Sequence, residues 1–219
     1  MKIESLTSAD GSSTLYIPEM DETYHSRKGA VTESEYVYIK MGLANLHLKQ
    51  VRLLEFGLGT GLNALLSLRY ANQNRIQLDY TSVEKYPLEQ GILQTINYAE
   101  HLSMKDEWQE LHQIIWQESS EWDTFHRLLK WQGDFLEAPL EEGAYDLIYY
   151  DAFAPSKQAD VWGMEYLNKA YRALKTGGIL ATYCAQGQFK RNLKSLGFEV
   201  ENLPGPPGKM EMVRARKTT

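Results

Sequence analysis

From residue 51 onward, short apolar runs alternate with segments of helical spacing. Val51–Phe56, Leu78–Val83 and Tyr145–Tyr150 are apolar runs of strand length, and such runs indicate strands that are buried on both faces. The glycine-rich turn Gly57–Gly61 separates the first run from helical spacing over Leu62–Tyr70. The order strand, glycine loop, helix predicts an α/β domain with a mostly parallel sheet.

The rest of the chain continues this alternation. We expect a helix over Pro87–Asn97, two amphipathic helices over Met104–Leu129 around Ser119–Ser120, a brief strand at Trp131–Gln132, a helix over Met164–Leu174, a strand over Ile179–Tyr183 and a helix over Gln186–Leu196. The last two predicted strands, Phe198–Leu203 and Met210–Arg214, must pair antiparallel, because the PGPPGK turn between them is too short for a parallel crossover. A doubly wound, mostly parallel sheet with one reversed strand in a C-terminal hairpin resembles the class I (Rossmann-like) S-adenosylmethionine-dependent methyltransferases.

The first fifty residues form an extension ahead of this pattern. Ser13–Ile17 alternates like a short strand, and Thr32 followed by Glu35 predicts the start of a helix that runs towards Leu46. We expect residues 1–50 to pack on a Rossmann-like domain of residues 51–219, so that the chain has one structural domain overall.

Composition narrows the class of protein. The 219 residues are 43% hydrophobic and 24% charged, as in an ordinary globular protein. The single cysteine, Cys184, cannot form an internal disulfide, and the five histidines show no metal-ligand spacing with it. No apolar run is long enough to span a membrane, and residues 1–10 do not resemble a signal segment. We therefore expect a cytoplasmic protein with no metal and no membrane partner.

Charge is divided unevenly along the chain. Residues 1–151 hold 12 Lys/Arg and 24 Asp/Glu, a net charge of −12, whereas residues 152–219 hold 11 and 5, a net charge of +6. This C-terminal segment, residues 152–219, could hold a polyanion on a basic face, or its charges could form solvated helix faces. The basic residues concerned are Lys157, Lys169, Arg172, Lys175, Lys190, Arg191, Lys194, Lys209, Arg214, Arg216 and Lys217.

The loop after the first strand combines an acid with three glycines, in the order Glu55, Gly57, Gly59 and Gly61. Glycines let a ligand approach the backbone at the carboxyl edge of a parallel sheet. A dinucleotide fingerprint needs its third glycine one residue later and binds a phosphate. The Glu55 carboxylate instead suits a cation such as the amino-acid end of S-adenosylmethionine, although a plain tight turn would use the same glycines.

Two further acids follow the next two predicted strands. Glu84 could accept hydrogen bonds from both hydroxyls of a ribose. Asp134 could accept one from an adenine amino group, with Phe135 beside the ring. Each acid alone could be an ordinary strand-end or turn residue, but their order along the chain predicts a row of nucleoside-binding carboxylates.

A fourth acid, Asp151, opens the segment that follows the strand ending at Tyr150. Asp151 could accept a proton or orient an attacking amine, and Phe153 could stack on a base, with Pro155 stiffening the turn. The alternative is a capping aspartate beside a core phenylalanine.

Several motifs together resemble one family. They are Tyr24-His25-Ser26, the EFGLGTGLN run from Glu55 to Asn63, the SVEKYPL run around Glu84, the DAFAPSK run from Asp151 to Lys157, and PGPPGK near the C-terminus. Over about residues 15–215 the chain resembles the methyltransferase module of the MnmC family, whose stand-alone form is called MnmD.

The resemblance implies an activity and a set of site residues. The implied reaction is methylation of the aminomethyl group on the wobble uridine of tRNA, giving 5-methylaminomethyl-2-thiouridine, with S-adenosylmethionine as cofactor and the tRNA anticodon loop as partner. Asp151 would be catalytic and face the substrate amine, and Phe153, Pro155 and Lys157 would bind substrate. The implied cofactor-binding residues are Glu55, Gly57, Gly59, Gly61 and Asn63 at the methionine end, Glu84 at the ribose, Asp134 with Phe135 at the adenine, Tyr24 and Ser26 in a segment that closes over the cofactor, and Lys85.

Some members of this family carry a fused flavin oxidase, which we expect to be absent here. A separate oxidase or other enzymes upstream would then supply the aminomethyl-uridine. Where a fused member has Asp-Gly-Phe-Ala-Pro, this chain has Ala152. Other interpretations remain open: a methyltransferase or aminopropyltransferase acting on a small amine, a noncatalytic tRNA-binding protein, and an NAD oxidoreductase.

Overall fold

A computed structural model describes residues 2–218 of the chain. It begins with a small antiparallel sheet of β1 (Glu4–Thr7), β2 (Ser13–Ile17) and β3 (Glu22–Thr23). Helix α1 (Ala30–Ser34) follows and continues as a π-helical turn (Glu35–Lys40) and a 3-10 turn (Leu43–Asn45). The predicted strand over residues 13–17 and the helical segment after it are confirmed.

Helix α1 starts two residues before the predicted Thr32. The Thr32 backbone N–H and hydroxyl both donate to Asp10 Oδ2, at 2.9 and 2.8 Å. A side chain distant in sequence therefore accepts a hydrogen bond from a free backbone N–H in the first turn of the helix. The local sequence pattern carries no information about this partner. Leu15, Ala30 and Val37 of this region are buried in the same hydrophobic cluster as the central strands.

Strands and helices alternate through the rest of the chain. In order they are β4 (Gln50–Phe56), α2 (Leu62–Asn74), β5 (Gln77–Glu84), α3 (Gln90–Leu93), α4 (Tyr98–His101), α5 (Lys105–Gln113), β6 (Ser119–Glu121), β7 (Arg127–Gln132), β8 (Tyr145–Tyr150), a 3-10 turn (Ala159–Trp162), α6 (Met164–Ala173), β9 (Leu174–Thr182), α7 (Gly187–Ser195), β10 (Phe198–Pro204) and β11 (Glu211–Lys217).

One central sheet of eight strands, in the order β10-β11-β9-β8-β4-β5-β7-β6, organises the molecule. Strands β4, β5, β7, β8 and β9 pair in parallel. The predicted mostly parallel sheet and its C-terminal hairpin of β10 and β11 are confirmed. A second reversed strand, β6, adds a hairpin at the other edge.

The second helix predicted within Met104–Leu129 is wrong. Helix α5 ends at Gln113, and β6 and β7 form the edge hairpin instead. Along β7, buried Leu128 and Lys130 alternate with more exposed neighbours, which is the period of a strand. The strand predicted at residues 131–132 is only the end of β7, because pairing with β5 extends the ladder back to Arg127.

The helix predicted over Pro87–Asn97 is also mostly wrong, since only the short α3 forms within it. The side chain of Asn97 binds the N-terminal extension. Its Oδ1 accepts hydrogen bonds from the Ser13 backbone N–H at 2.8 Å and from the Ser13 hydroxyl at 2.9 Å. Contacts between distant segments therefore replace the continuous helix.

Alternate side chains of the central strands face two hydrophobic layers. Leu53 of β4 and Leu147 of β8 pack in the layer that contains α2, whereas Leu54 and Ile148 pack in the layer that contains α6 and α7. The same alternation turns Glu55 towards α2, where it lies fully buried. A carboxylate in this position needs polar partners supplied by the fold.

Candidate active site

A cavity of about 520 Å³ opens at the carboxyl edge of the sheet. This volume lies within the range of about 300–1,000 Å³ that is common for small-molecule sites. The chain winds from β4 to one side through β5 and β7, and to the other through β8 and β9, so the cavity lies at the topological switch point. Residues that follow the five parallel strands line it: Gly57, Lys85, Gly133, Asp151 and Tyr183.

The glycine loop forms one side of the cavity. Gly57 has φ +91°, and a Cβ there would stand 2.6 Å from the carbonyl oxygen of Asp151, so a larger residue does not fit. The Gly59 backbone N–H donates to Glu84 Oε2 at 3.0 Å, and the Tyr86 N–H donates to Glu84 Oε1 at 2.8 Å. The glycine loop and Glu84 therefore fix each other's position.

Asp134 and Phe135 lie together in the same cavity. Asp134 accepts hydrogen bonds from Lys85 Nζ and from the Tyr166 hydroxyl, both at 3.0 Å. Burial raises the pKa of Asp134, but hydrogen bonds from the Leu136 N–H and these two side chains outweigh it and hold the pKa below the ordinary value. Phe135 is buried and stacks on Tyr166 with a centroid distance of 6.5 Å.

Asp151 is half-buried beside the glycine loop. Its Oδ2 accepts a hydrogen bond of 2.7 Å from Asn63 Nδ2. Burial raises the pKa of Asp151 to about 6, against the opposing effects of the Tyr38 hydroxyl and Asn63. The carboxylate can therefore exchange a proton near neutral pH, as a general base must.

Three residues near Asp151 were missed as site residues by the sequence interpretation. Lys209 Nζ lies 2.7 Å from Glu33 Oε1 and 3.7 Å from the centroid of the Tyr183 ring. Glu33 belongs to α1, and Lys209 belongs to the turn between β10 and β11. Two segments that are far apart in sequence therefore meet in the cavity. Lys209 ends the PGPPGK motif, but no local spacing links it to Glu33, which lies far away in sequence.

The N-terminal extension supplies a wall through Tyr24 and Ser26. The Tyr24 ring meets Phe153 edge-on at 5.0 Å and also lies against Gly59. The Ser26 backbone N–H donates to Glu33 Oε2 at 3.0 Å. Residues of the extension therefore line the cavity, in addition to packing on the domain.

Five of the predicted site residues lie outside the lining of this cavity as the described chain forms it. Glu55 and Asn63 are buried behind it, with exposures of 0% and 2%. Gly61 faces α5 instead. Pro155 and Lys157 lie further along the loop after Phe153, and Lys157 is exposed.

The lining fits a cationic nucleoside ligand. Its carboxylates, from Glu22, Glu33, Glu84, Asp134 and Asp151, outnumber its cationic side chains, from Arg27, Lys85 and Lys209. This balance suits the sulfonium and ammonium groups of S-adenosylmethionine, and the Phe135 end offers an apolar slot for a base. The same carboxylates would repel the pyrophosphate of NAD.

Within residues 2–218, no three or more His, Cys, Asp and Glu side chains are grouped so that they could hold a metal ion. No helix in that range is long and apolar enough to cross a bilayer.

Comparisons with known proteins identify the family of the chain. Residues 104–218 match the S-adenosyl-L-methionine-dependent methyltransferase family. Two proteins named tRNA 5-methylaminomethyl-2-thiouridine biosynthesis bifunctional protein MnmC, from Cupriavidus metallidurans and Pseudoalteromonas atlantica, are 30% and 31% identical over 97% and 94% of this chain. The chain spans only 34% and 32% of their lengths.

Solved structures share the fold. MnmC2 from Aquifex aeolicus superposes with a TM-score of 0.80 at 22% identity, over 100% of this chain and 71% of that one. Spermidine synthase from Thermotoga maritima gives a TM-score of 0.56 at 14% identity, over 99% of this chain and 72% of that one. Because the family match covers more than half of the sequence, the chain belongs to the S-adenosyl-L-methionine-dependent methyltransferase family, and its methyl donor is S-adenosylmethionine.

Proposed function

We propose that this protein methylates the aminomethyl nitrogen of 5-aminomethyl-2-thiouridine at the wobble position of tRNA, giving 5-methylaminomethyl-2-thiouridine. The observation that carries the proposal is the Asp151 carboxylate beside Phe153 in an acid-rich cavity, where an amine on a nucleobase would be held. The names of the curated relatives support tRNA as the substrate.

The other end of the cavity would hold the cofactor. When bound, S-adenosylmethionine supplies an activated methyl group on its sulfonium. Glu84 would accept hydrogen bonds from the ribose hydroxyls, because each of its oxygens keeps a lone pair beyond the one used by Gly59 or Tyr86. Asp134, held by Lys85, would accept from the adenine amino group next to Phe135.

Asp151 would manage the proton of the substrate amine. An alkyl amine has a pKa of about 10.4 by analogy with lysine, so it arrives as an ammonium. Ionised Asp151 would attract this cation and then accept one of its protons, which leaves a neutral amine. The lone pair of that amine would form the new N–C bond as the bond between sulfur and the methyl carbon breaks, with its electron pair left on sulfur. The cavity's role is to keep that nitrogen aligned for attack.

The rim of the cavity suits an unstacked nucleotide. Phe153 and Tyr24 present rings inside the mouth, and Tyr86 lines the cavity while 68% exposed. Single-stranded RNA loops are commonly read by stacking bases on such rings. Arg27 at the rim and Lys157 on the loop after Phe153 would meet backbone phosphates.

The test uses the full chain, labelled S-adenosylmethionine, and tRNA from cells that lack wobble-uridine methylation, followed by mass spectrometry of the nucleosides. We expect aminomethyl-uridine to become methylaminomethyl-uridine only when protein and cofactor are both present. If tRNA gains no label while a small amine such as a polyamine turns over without RNA, the small-amine alternative replaces this proposal. Absence of transfer to any amine despite cofactor binding would favour a noncatalytic tRNA-binding role.

A further inference from the structure

Glu55 is fully buried next to the site, yet its carboxylate does not face the cavity. Both of its oxygens are already engaged. Oε1 accepts a hydrogen bond from Asn63 Nδ2 at 3.1 Å, and Oε2 accepts one from the Ser82 hydroxyl at 3.0 Å. Neither Asn63 nor Ser82 is among the described residues that line the cavity.

Asn63 joins this buried acid to the active site. Its Nδ2 donates to Glu55 Oε1 and also to Asp151 Oδ2, the latter at 2.7 Å. The amide oxygen of Asn63 has no hydrogen-bond partner within residues 2–218. The two carboxylates are therefore the groups that set the orientation of the Asn63 side chain.

We propose that Glu55 is a positioning residue that acts through Asn63 to hold the Asp151 carboxylate towards the substrate amine, and that it is not a ligand of the cofactor. The proposal rests on the proposed function in taking Asp151 as the group that meets the amine. The chain of contacts from Ser82 through Glu55 and Asn63 to Asp151 is independent of which amine is used.

The charges support this division of roles. Two carboxylates that share one amide, one of them fully buried and the other half-buried, cannot both ionise without strong repulsion. Burial, followed by the charge of Asp151, raises the pKa of Glu55 to about 8. Glu55 therefore stays protonated near neutral pH, where it can still accept from Asn63 without adding a second negative charge, and Asp151 is the group that exchanges protons.

Other groups also face Asp151 and contribute to its titration. They are Glu33 from α1, Tyr38 from the π-helical turn, Tyr183 after β9, and Lys209 from the turn between β10 and β11. Glu55 makes its hydrogen bonds to Asn63 and Ser82 and to none of these groups, so a shift in the Asp151 titration between Glu55 variants reports on Glu55 and Asn63.

The test compares Glu55→Leu, Glu55→Gln and the control Ser67→Ala in the full chain. Ser67 lies on the same helix as Asn63, and its hydroxyl makes a buried hydrogen bond of 3.1 Å with the Tyr149 hydroxyl outside the site. Three quantities are measured: the pKa of the Asp151 carboxyl by carbon-13 NMR, the Kd of S-adenosylmethionine by calorimetry, and kcat with tRNA.

We expect Glu55→Leu to raise the pKa of Asp151, because the Asn63 hydrogen bond that lowers it is no longer held in place. The kcat should fall by about tenfold to a hundredfold from misplacement of the reacting group, while the Kd of the cofactor changes by less than about threefold. Glu55→Gln should restore most of kcat and keep the pKa of Asp151, and Ser67→Ala should leave both unchanged.

A rise of about tenfold or more in the cofactor Kd of either Glu55 variant would make Glu55 a cofactor ligand and overturn the proposal. An unchanged Asp151 pKa and kcat in Glu55→Leu would reduce Glu55 to a packing role. If Glu55→Leu does not fold, Asn63→Ala removes the hydrogen bonds that connect Glu55 to Asp151. This variant should also raise the pKa of Asp151, and an unchanged pKa would contradict the proposal. The NMR and calorimetric readouts need no tRNA, so they remain decisive even if tRNA is not the substrate.

Discussion

At the scale of single residues, burial raises the pKa of Asp151 and so sets the pH range in which its carboxylate can accept a proton. A carboxylate with a pKa of about 6 is ionised at neutral pH and protonated in mild acid. Once protonated it can neither attract an ammonium nor accept its proton. We therefore expect the rate of methyl transfer to fall as the pH falls through about 6, as a pH profile of kcat/KM would show.

The variant Asp151→Asn tests the same residue directly. We expect kcat to fall by about 10²–10⁴, the range usual for loss of a general base, with little change in the cofactor Kd. Glu84→Gln is the matched comparison, since its carboxylate lies at the proposed ribose end and its loss should weaken cofactor binding first. Equal losses of turnover and cofactor affinity in Asp151→Asn would contradict this division.

Glu55 should make the stability of the fold depend on pH. Its pKa is about 8 in the folded protein against an ordinary value of 4.5, so the folded state binds more protons between these values and its stability falls as the pH rises through them. Glu55→Gln removes this dependence. Its Tm relative to that of the native chain should therefore increase from about pH 5 to about pH 8.

Ser67→Ala is the control for this prediction, because it removes a buried hydrogen bond without a titratable group. Its Tm difference from the native chain should be similar at both pH values. A constant Tm difference for Glu55→Gln across the same range would show that Glu55 is ionised throughout.

At the scale of elements, the turn between β10 and β11 joins the N-terminal extension at the site. Lys209 on this turn pairs with Glu33 of α1, and the Tyr36 hydroxyl donates to the Pro204 carbonyl at 3.0 Å. The Lys28 side chain packs against Gly208. The N-terminal extension and the turn between β10 and β11 therefore build one wall of the cavity together.

A double-mutant cycle on this contact measures how strongly the two elements are coupled. Glu33→Gln and Lys209→Met should show a coupling of about 1–3 kcal/mol in the free energy of unfolding, because the Glu33 side chain is only 10% exposed and is left without its cation. The exposed pair of Arg172 and Glu142 is the control and should couple by about 0–1 kcal/mol. Equal coupling in the two cycles would mean that the turn is held by other contacts.

At the scale of the whole molecule, the basic C-terminal segment, residues 152–219, is less available to a polyanion than its charge suggests. Five of its eleven cations pair with carboxylates: Arg172, Lys175, Lys190, Lys209 and Arg214. Lys169, Arg216 and Lys217 donate to backbone carbonyls. If the proposed function holds, we expect tRNA to contact the cations near the cavity mouth and not residues 152–219 as a whole.

Salt dependence tests this placement. The affinity for tRNA should fall as salt rises, and Arg27→Gln or Lys157→Gln should each reduce the slope of log Kd against log salt by about one. Lys175→Gln is the control, because Lys175 pairs with Asp146 at the amino end of β9, away from the cavity edge. A flat salt response in the native protein would contradict phosphate binding altogether.

The sequence by itself determined the repeating strand and helix units, the C-terminal hairpin and the placement of acids at strand ends. These features follow from local information, since apolar runs, glycine positions and short turns restrict the backbone directly. For the same reason the sequence alone predicts Glu84, Asp134 and Asp151 as site residues, and all three line one cavity.

Only the tertiary structure decided which way each side chain faces and which distant segments meet. It turned Glu55 away from the cavity, paired Glu33 with Lys209, and replaced a predicted helix by the hairpin of β6 and β7. Each of these outcomes depends on partners far away in sequence, and local periodicity carries no information about such partners. The physical cause is the same in each case: burial and hydrogen bonding are properties of the assembled fold.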